Sequence, residues 1–469
     1  MKLRSVLPIV AAVILVIGIV AACAPAPTPV PTAAPPTAAP KATEAPKATE
    51  APKATSVPAT SAPVATTAPV ATTAPAATTA PTSAPSSGGA GDTYKIGFVS
   101  SVTGATSSLG IPERDTALML QDQINKAGGI KGADGKSHQV QIITEDDASD
   151  ASKATLAAKK LVEQDKVAVL IGSSGSPSSI AMADYAMTQK IPLISMASAS
   201  TIVTGADGKE KQWVFKTPQS NTPVTQVQAD YFTAKGITKV ASIGVNNAFG
   251  QDSRNAMKAI FPKAGIDVLA DELFQPGDKD FTAQLTKIKG LNPQGLVIHA
   301  TSGEGAPLTV QAKQLGFTVP IVHNHGIGNK DFINLAKDSA EGVLFPIGKL
   351  LTYQVLSDSD PQKAVLAKYV KDYTDYTKGA PISTFGGHGW DAVMIAAKGL
   401  GEVGTDPAKL QAFFEGGGIK NFVGVSGVFN WTKDDHTGIA KESMVLVEIK
   451  KGDWVYVAPA DYKNMPDVK

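Results

Sequence analysis

The sequence predicts an α/β protein made of two parallel-sheet units in series. Strand and helix patterns alternate strictly from Tyr94 to His323. Such alternation implies parallel strands joined by right-handed helical crossovers. Runs such as Tyr94–Ser100 and Val167–Ile171 are apolar and of buried-strand length. The alternation is punctuated once, at Trp213-Val-Phe-Lys-Thr-Pro218, which leaves two sets each about one domain long.

In the first set, strand Tyr94–Ser100 leads into the loop Ser101–Gly110. A helix from about Glu113 to Lys126 places Ala117, Leu120 and Ile124 on one face, and Gly128-Gly129 ends it. Gln139–Thr144 alternates as a strand. Helix Asp150–Glu163 turns Ala154, Ala157, Ala158, Leu161 and Val162 inward. Strand Val167–Ile171, helix Ile180–Thr188 and strand Ile191–Ser195 complete the set. The second set reads helix Thr222–Lys235, strand Lys239–Gly244, helix Gly250–Lys263 and strand Ile266–Leu273. Helix Phe281–Lys289, strand Gly295–His299, helix Ala306–Leu315 and strand Val319–His323 follow. Long helices are expected at Gln362–Tyr376 and Trp390–Glu402. Strands Val425–Trp431 and Met444–Ile449 close the chain, with Asp434-Asp-His-Thr-Gly438 as the turn between them.

A leader precedes the fold. Met1-Lys2-Leu3-Arg4 runs into the apolar stretch Val6–Ala22, interrupted by Pro8 and Gly18, and small residues lead to Cys23. A basic start, an apolar middle and small residues before the break mark an export signal. The stretch is short for a span of about 20 residues. Val20-Ala21-Ala22-Cys23 resembles the lipobox of bacterial lipoproteins. That resemblance implies a signal peptide over 1–22, cleavage before Cys23 and lipid on its sulfur. Two or more acyl chains hold a protein firmly on a bilayer. Residues 23–92 are then a lipidated Pro/Ala/Thr-rich tether, with the repeat Lys-Ala-Thr-Glu-Ala-Pro starting at Lys41 and Lys47. Such a composition cannot bury enough surface to fold. Extended as polyproline II it reaches at most about 200 Å.

Composition narrows the function. Cys23 is the only cysteine, so no intramolecular disulfide forms and no thiol remains for catalysis. A formal net charge of +1 gives no electrostatic case for nucleic acid. The folded part is expected outside the cytoplasm, on the outer face of the membrane, soluble on its anchor.

Ligands of open parallel sheets lie beyond the carboxyl ends of the strands. After the first strand this gives Ser107 and Leu109; after the third, Ser174, Gly175 and Ser176; after the fourth, Ala197, Ser198 and Ser200. The second set offers Asn247 and Phe249, then Ser302 and Glu304, then His325. Serine-glycine loops with free amides at a helix start suit an anion, and a carboxylate is the natural guest. The chain has no nucleophile elbow, no phosphate-cradling loop and no dinucleotide fingerprint. Enzymatic activity and a cofactor are therefore not expected. His323 and His325 have strand spacing, but a metal site needs more ligands and Asp331 is the only nearby acid. His388 falls at a helix start and His436 in the turn before the last strand.

From Tyr94 onward the chain resembles the branched-chain amino-acid-binding family of ABC-transporter receptors, the type I periplasmic binding proteins. The resemblance rests on Ile96-Gly-Phe with Thr103-Gly104, Asn125-Lys-Ala-Gly-Gly-Ile-Lys-Gly132, Glu145-Asp-Asp, Ile171-Gly172 and Ile191-Pro-Leu-Ile-Ser195. It continues through Phe215-Lys-Thr-Pro218, Phe249-Gly250, Gly277-Asp-Lys-Asp-Phe281 and Ala340-Glu-Gly-Val343. It implies two hinged lobes joined by three crossover segments, each lobe a parallel sheet flanked by helices. Lobe 1 would comprise 93–217 and 347–424, and lobe 2 would comprise 218–346 and 425–469. It also implies a monomer that closes on a solute and is read by ABC permease subunits.

Carried over residue by residue, Ser176 matches the serine that holds the ligand carboxylate. Ala197 matches the position whose carbonyl faces the ammonium. The expected threonine is Ala199, with Ser198 or Ser200 as substitutes, and Leu109 and Phe249 stand where tyrosines are expected. The acid that pairs with the ammonium falls at His325. Two ligand classes follow. One is a branched-chain or related aliphatic amino acid, with Glu304 as the replacement acid. The other is an apolar carboxylate without an amine, with His325 and Asn324 as polar partners. A solute sensor for a signalling partner is a further alternative.

Overall fold

In the computed structural model the described residues are 90–466. The leader, Cys23 and the tether up to residue 89 lie outside them. Among the described residues no helix is long and apolar enough to cross a membrane.

Five strands form the first sheet: β1 (Tyr94–Ser100), β2 (Val140–Asp146), β3 (Val169–Ile171), β4 (Leu193–Ser195) and β5 (Val214–Lys216). Their order is β2-β1-β3-β4-β5 and every pairing is parallel. Alternate residues of β1 face opposite layers, as strand geometry requires. Ile96 and Phe98 enter a core with α1 (Ser107–Lys126), while Val99 packs with α2 (Ala151–Glu163) and α3 (Ser176–Gln189). Asp150 caps α2 by accepting from the Lys153 amide at 2.9 Å, which satisfies one of the helix's free donors.

The second sheet repeats the pattern. β6 (Lys239–Val245), β7 (Asp267–Phe274), β8 (Gly295–His299), β9 (Ile321–His323) and β10 (Leu344–Gly348) are parallel in the order β7-β6-β8-β9-β10. Beyond β10 lie two antiparallel strands, β11 (Met444–Lys450) and β12 (Asp453–Val457). The helices are α4 (Asn221–Lys235), α5 (Ala248–Ile260), α6 (Thr282–Gly290), α7 (Ser302–Gln314) and α8 (Lys330–Ala336). In both sheets the helix after the first strand presses a glycine onto that strand's end. A Cβ on Gly110 would collide with the Ser101 carbonyl, and one on Gly250 with the Val245 carbonyl.

The rest of the chain shuttles between the sheets. It crosses at 217–220, again through 349–355 after β10, and a third time between 431 and 444. In between come α9 (Lys363–Thr377), α10 (Thr384–Val403) and α11 (Pro407–Phe413). Leu366, Tyr369, Ala392, Ile395 and Leu400 pack on the first sheet, so late chain completes an early core.

Several expectations change. α3 and α7 begin four residues earlier than expected, at Ser176 rather than Ile180 and at Ser302 rather than Ala306. The first helix begins at Ser107 rather than Glu113, so Ser107 and Leu109 are helical. Gly110 and Pro112 lie buried inside this helix, Gly110 pressed against Ser101 at the end of β1. α10 begins at Thr384 rather than Trp390, and its Gly386 and Gly389 pack against α1, with a Gly389 Cβ falling 3.1 Å from the Glu113 carbonyl. Val214–Lys216, read as punctuation, is a strand. Val425–Trp431 does not pair with the last strand. Only Val428–Phe429 is extended, against Phe422–Val423, and β11 pairs with β10 and β12 instead. Val425, Phe429 and Trp431 therefore pack in the first core rather than with the second sheet, because Trp431 stacks on Phe215 at 4.8 Å. His436 joins them, stacked on Phe215 at 4.3 Å with Nδ1 at 2.8 Å from the Val214 carbonyl.

Candidate functional site

Both sheets reverse direction of winding between their first and third strands in chain order, β1 and β3 in one and β6 and β8 in the other, and crevices form at such points. The loops there are 101–106 and 172–175 in the first sheet, and 246–247 and 300–301 in the second. They meet at a cavity of about 260 Å³. The first-sheet wall is Thr106, Leu109, Ser149, Ser174, Gly175, Ser176, Met196, Ala197 and Ser198. Asn247, Phe249, Pro276, Thr301, Glu304 and His325 form the opposite wall. Pro218 of the first crossing and Phe385 and His388 of α10 close the back.

One end of the cavity suits an anion. α3 starts at Ser176 behind Gly175, which has no side chain to cap it, and Pro177 removes one amide from the first turn. The amides of Ser176 and Ser178 have no intrahelical acceptor and carry the positive end of the helix dipole. Ser176 Oγ accepts from the Ala199 amide at 3.3 Å, which leaves its own proton to donate. Ser174 is tied back: its hydroxyl donates to Glu113 and accepts from the Ser101 amide at 3.0 Å. Burial drives the Glu113 carboxyl well above its usual range, with Ser174 opposing and the nearby Asp147 adding to the rise. The carboxyl that stands behind the serine loop thus has its charged form disfavoured.

The second-sheet wall holds a carboxyl. Glu304, in the first turn of α7, is 9% exposed. Among the described residues its one hydrogen bond is a 3.4 Å contact from the Gly277 amide. Burial raises its pKa, against the pull of that amide and of Lys279. His325 lies edge-on to Phe249, ring centroids 5.7 Å apart. Burial, assisted by the charge of Lys216, lowers its pKa to about 3, and neither ring nitrogen has a partner. His388 is held neutral in the same way and meets Ser426 Oγ at 2.7 Å.

Ten of the residues expected from the loops line the cavity: Leu109, Ser174, Gly175, Ser176, Ala197, Ser198, Asn247, Phe249, Glu304 and His325. Three do not. Ser107 borders a separate groove with Ser302, whose hydroxyl donates to Asn329 at 2.8 Å. Ser200 donates to Asp252, across the gap between the sheets. Asn324 is also engaged elsewhere: it donates to Ser253 at 3.0 Å and accepts from the Gly326 amide at 3.2 Å. Phe385 and His388 escaped the loop reading because they arrive on α10, far along the chain. Among the described residues no cluster of three His, Cys, Asp or Glu could hold a metal.

A family profile described as periplasmic binding protein matches residues 93–453. The leucine-, isoleucine-, valine-, threonine- and alanine-binding protein of Pseudomonas aeruginosa is 28% identical over 363 residues, covering 74% of this chain and 91% of that protein. An extracellular ligand-binding receptor from Rhodopseudomonas palustris superposes with a TM-score of 0.69 at 28% identity, over 78% of this chain and 99% of its own. A branched-chain amino acid transporter substrate-binding protein from Streptococcus pneumoniae, solved with isoleucine, gives 0.66 at 24% identity, over 78% of this chain and all of that one, and supports the fold.

Proposed function

Because this chain belongs to the periplasmic binding protein family, a family of extracytoplasmic receptors rather than enzymes, we propose that it captures a branched-chain or related aliphatic amino acid. The ligand is clamped between the two lobes and delivered to the permease of an ABC importer. In the same proposal lipidated Cys23 holds the receptor on the outer face of the membrane, and residues 24–92 are its leash.

The observation that carries the ligand class is Glu304. It is a buried carboxyl without an ion-pair partner, in the same cavity as the free amides of α3. A buried charge without a partner costs several kcal/mol, so this site is built for a guest that brings a cation to one end and an anion to the other. Leu109, Met196, Phe249 and Phe385 give an aliphatic side chain an apolar bed. The amine-free reading is weaker, because Asn324 is already committed. It keeps one supporting observation, the neutral His325 with its two free ring nitrogens.

Titration calorimetry with leucine and with its deaminated keto acid separates the readings. Leucine is expected to bind, and Glu304→Ala to weaken it by about 100-fold or more while leaving the keto acid within a few-fold. Leucine affinity should fall as pH drops through the raised pKa of Glu304, since the protonated acid no longer attracts the ammonium. Indifference to leucine with tight uptake of the keto acid overturns the amino-acid reading.

A further inference from the structure

Lys216, the last residue of β5, is fully buried one layer behind the cavity. Its Nζ donates three hydrogen bonds: to the Ser198 carbonyl at 2.9 Å, the Pro218 carbonyl at 3.3 Å and Ser220 Oγ at 2.8 Å. All three acceptors are neutral, and all three ammonium protons are used. Ser198 and Pro218 themselves line the cavity.

The Ser198 carbonyl belongs to the same peptide group as the Ala199 amide. That amide donates to Ser176 Oγ at 3.3 Å. The bonds therefore run in one direction, from the ammonium to the Ser198–Ala199 peptide and on to the Ser176 hydroxyl. With its lone pair engaged from behind, the hydroxyl presents its proton to the cavity. Each bond in such a chain polarises the next, and in a low-dielectric interior the charge at its head is poorly screened.

We infer that Lys216 is the buried countercharge of the anion subsite, setting the preference for a carboxylate through the Ser198–Ala199 peptide and the Ser176 hydroxyl without touching the ligand. It is a positioning and specificity residue, and the inference rests on the carboxylate-binding reading given above. The surroundings fit a cation that awaits an anion. The acids that act on Lys216 are Asp252, Asp435 and Glu210, none of them bonded to its Nζ, while burial lowers its pKa to about 8. The two histidines that feel its charge, His325 and His388, are themselves neutral.

The test compares leucine with leucinamide, which keeps the amine but lacks the carboxylate, on the full chain at pH 6.5. Lys216→Met is expected to weaken leucine on the order of tenfold and leucinamide less than about twofold, while Lys216→Arg retains the preference. A purely structural lysine would move both ligands alike, and equal losses, or none, overturn the inference. Should Lys216→Met fail to fold, the wild-type protein decides. Near pH 8 about half of Lys216 is uncharged while leucine's amine stays protonated, so leucine binding should take up protons. Calorimetry in buffers of different ionisation enthalpy measures that uptake, and its absence overturns the inference. If leucine does not bind but the keto acid does, the amino-acid reading falls and the same comparison proceeds with the keto acid and its amide. Failure to bind any of these carboxylates sinks both.

Discussion

Ser176 brings one hydroxyl proton and one backbone amide to the cavity, and the two can be separated by mutation. Ser176→Ala removes the proton and keeps the amide. Loss of one hydrogen bond to a charged group is worth about 1.5–3 kcal/mol, so leucine affinity should drop roughly 10- to 100-fold with thermal stability little changed. Calorimetry reads both quantities, and unaltered affinity would mean that the anion sits elsewhere. Ser176 was legible in the sequence because a serine-glycine loop followed by proline announces an uncapped helix start. Lys216 was not. A lysine inside an apolar strand says nothing of its partners, and these come from residues 198, 218 and 220 in three different segments. Ser107, Ser200 and Ser302 show the opposite failure: they sit on or beside the right loops, but side-chain direction cannot be read from a loop assignment.

At the scale of elements, α10 shows where propensity loses to packing. Five glycines lie in it, Gly386, Gly387 and Gly389 in its first six residues and Gly399 and Gly401 near its end, and the sequence reading therefore started the helix too late. The missing side chains of Gly386 and Gly389 are what let α10 approach α1, while Gly387 packs on Val425 and Gly399 on Phe414. Gly389→Ala would gain roughly 0.5–1 kcal/mol of helix propensity. Against that, its Cβ would lie 3.1 Å from the Glu113 carbonyl and 3.3 Å from the Glu113 Cα, a clash with backbone that typically costs about 1–3 kcal/mol. The net expectation is destabilisation of about 1–2 kcal/mol, measured as a lower urea midpoint at unchanged slope. A variant more stable than wild type would show that the helices can separate without loss. The strand–helix alternation, in contrast, was legible almost throughout. It depends on local apolar runs, whereas the fate of Val425–Trp431 depends on Phe215, two hundred residues away.

For the whole molecule, buried ionisable groups set the response to acid, and they pull in opposite directions. His299, His323, His325, His388 and His436 all have folded pKa values below the ordinary 6.5, chiefly through burial. Below pH 6.5 the unfolded chain takes up protons at these positions that the folded chain refuses, so stability falls by about 1.4 kcal/mol per group per pH unit. Glu113, Glu210, Glu304 and Asp391 have raised values, again chiefly through burial, and Asp391 reaches about 7. Each works in the opposite sense, holding its proton to higher pH in the folded state than in the unfolded chain, so folding gains as the pH falls towards the group's ordinary value. The acids therefore offset part of the loss from the histidines. Lower down the acids stop contributing while the histidines continue to, and Asp271, held at about 2 against burial by Arg254 and Ser242, begins to lose its ion pairs. Scanning calorimetry should find the melting temperature falling more steeply per pH unit below about pH 4.5 than between pH 6.5 and 5. A fall of even steepness throughout would contradict this balance.

The order in which chain fills the two cores has a consequence for biogenesis. The first sheet is complete by Lys216, yet α10 and Trp431 must reach it before its core can shut, and the second sheet waits for β11 and β12. Contacts of such long sequence separation form late. Neither core can therefore shut on a nascent polypeptide until segments as late as Trp431 and β11 have been made.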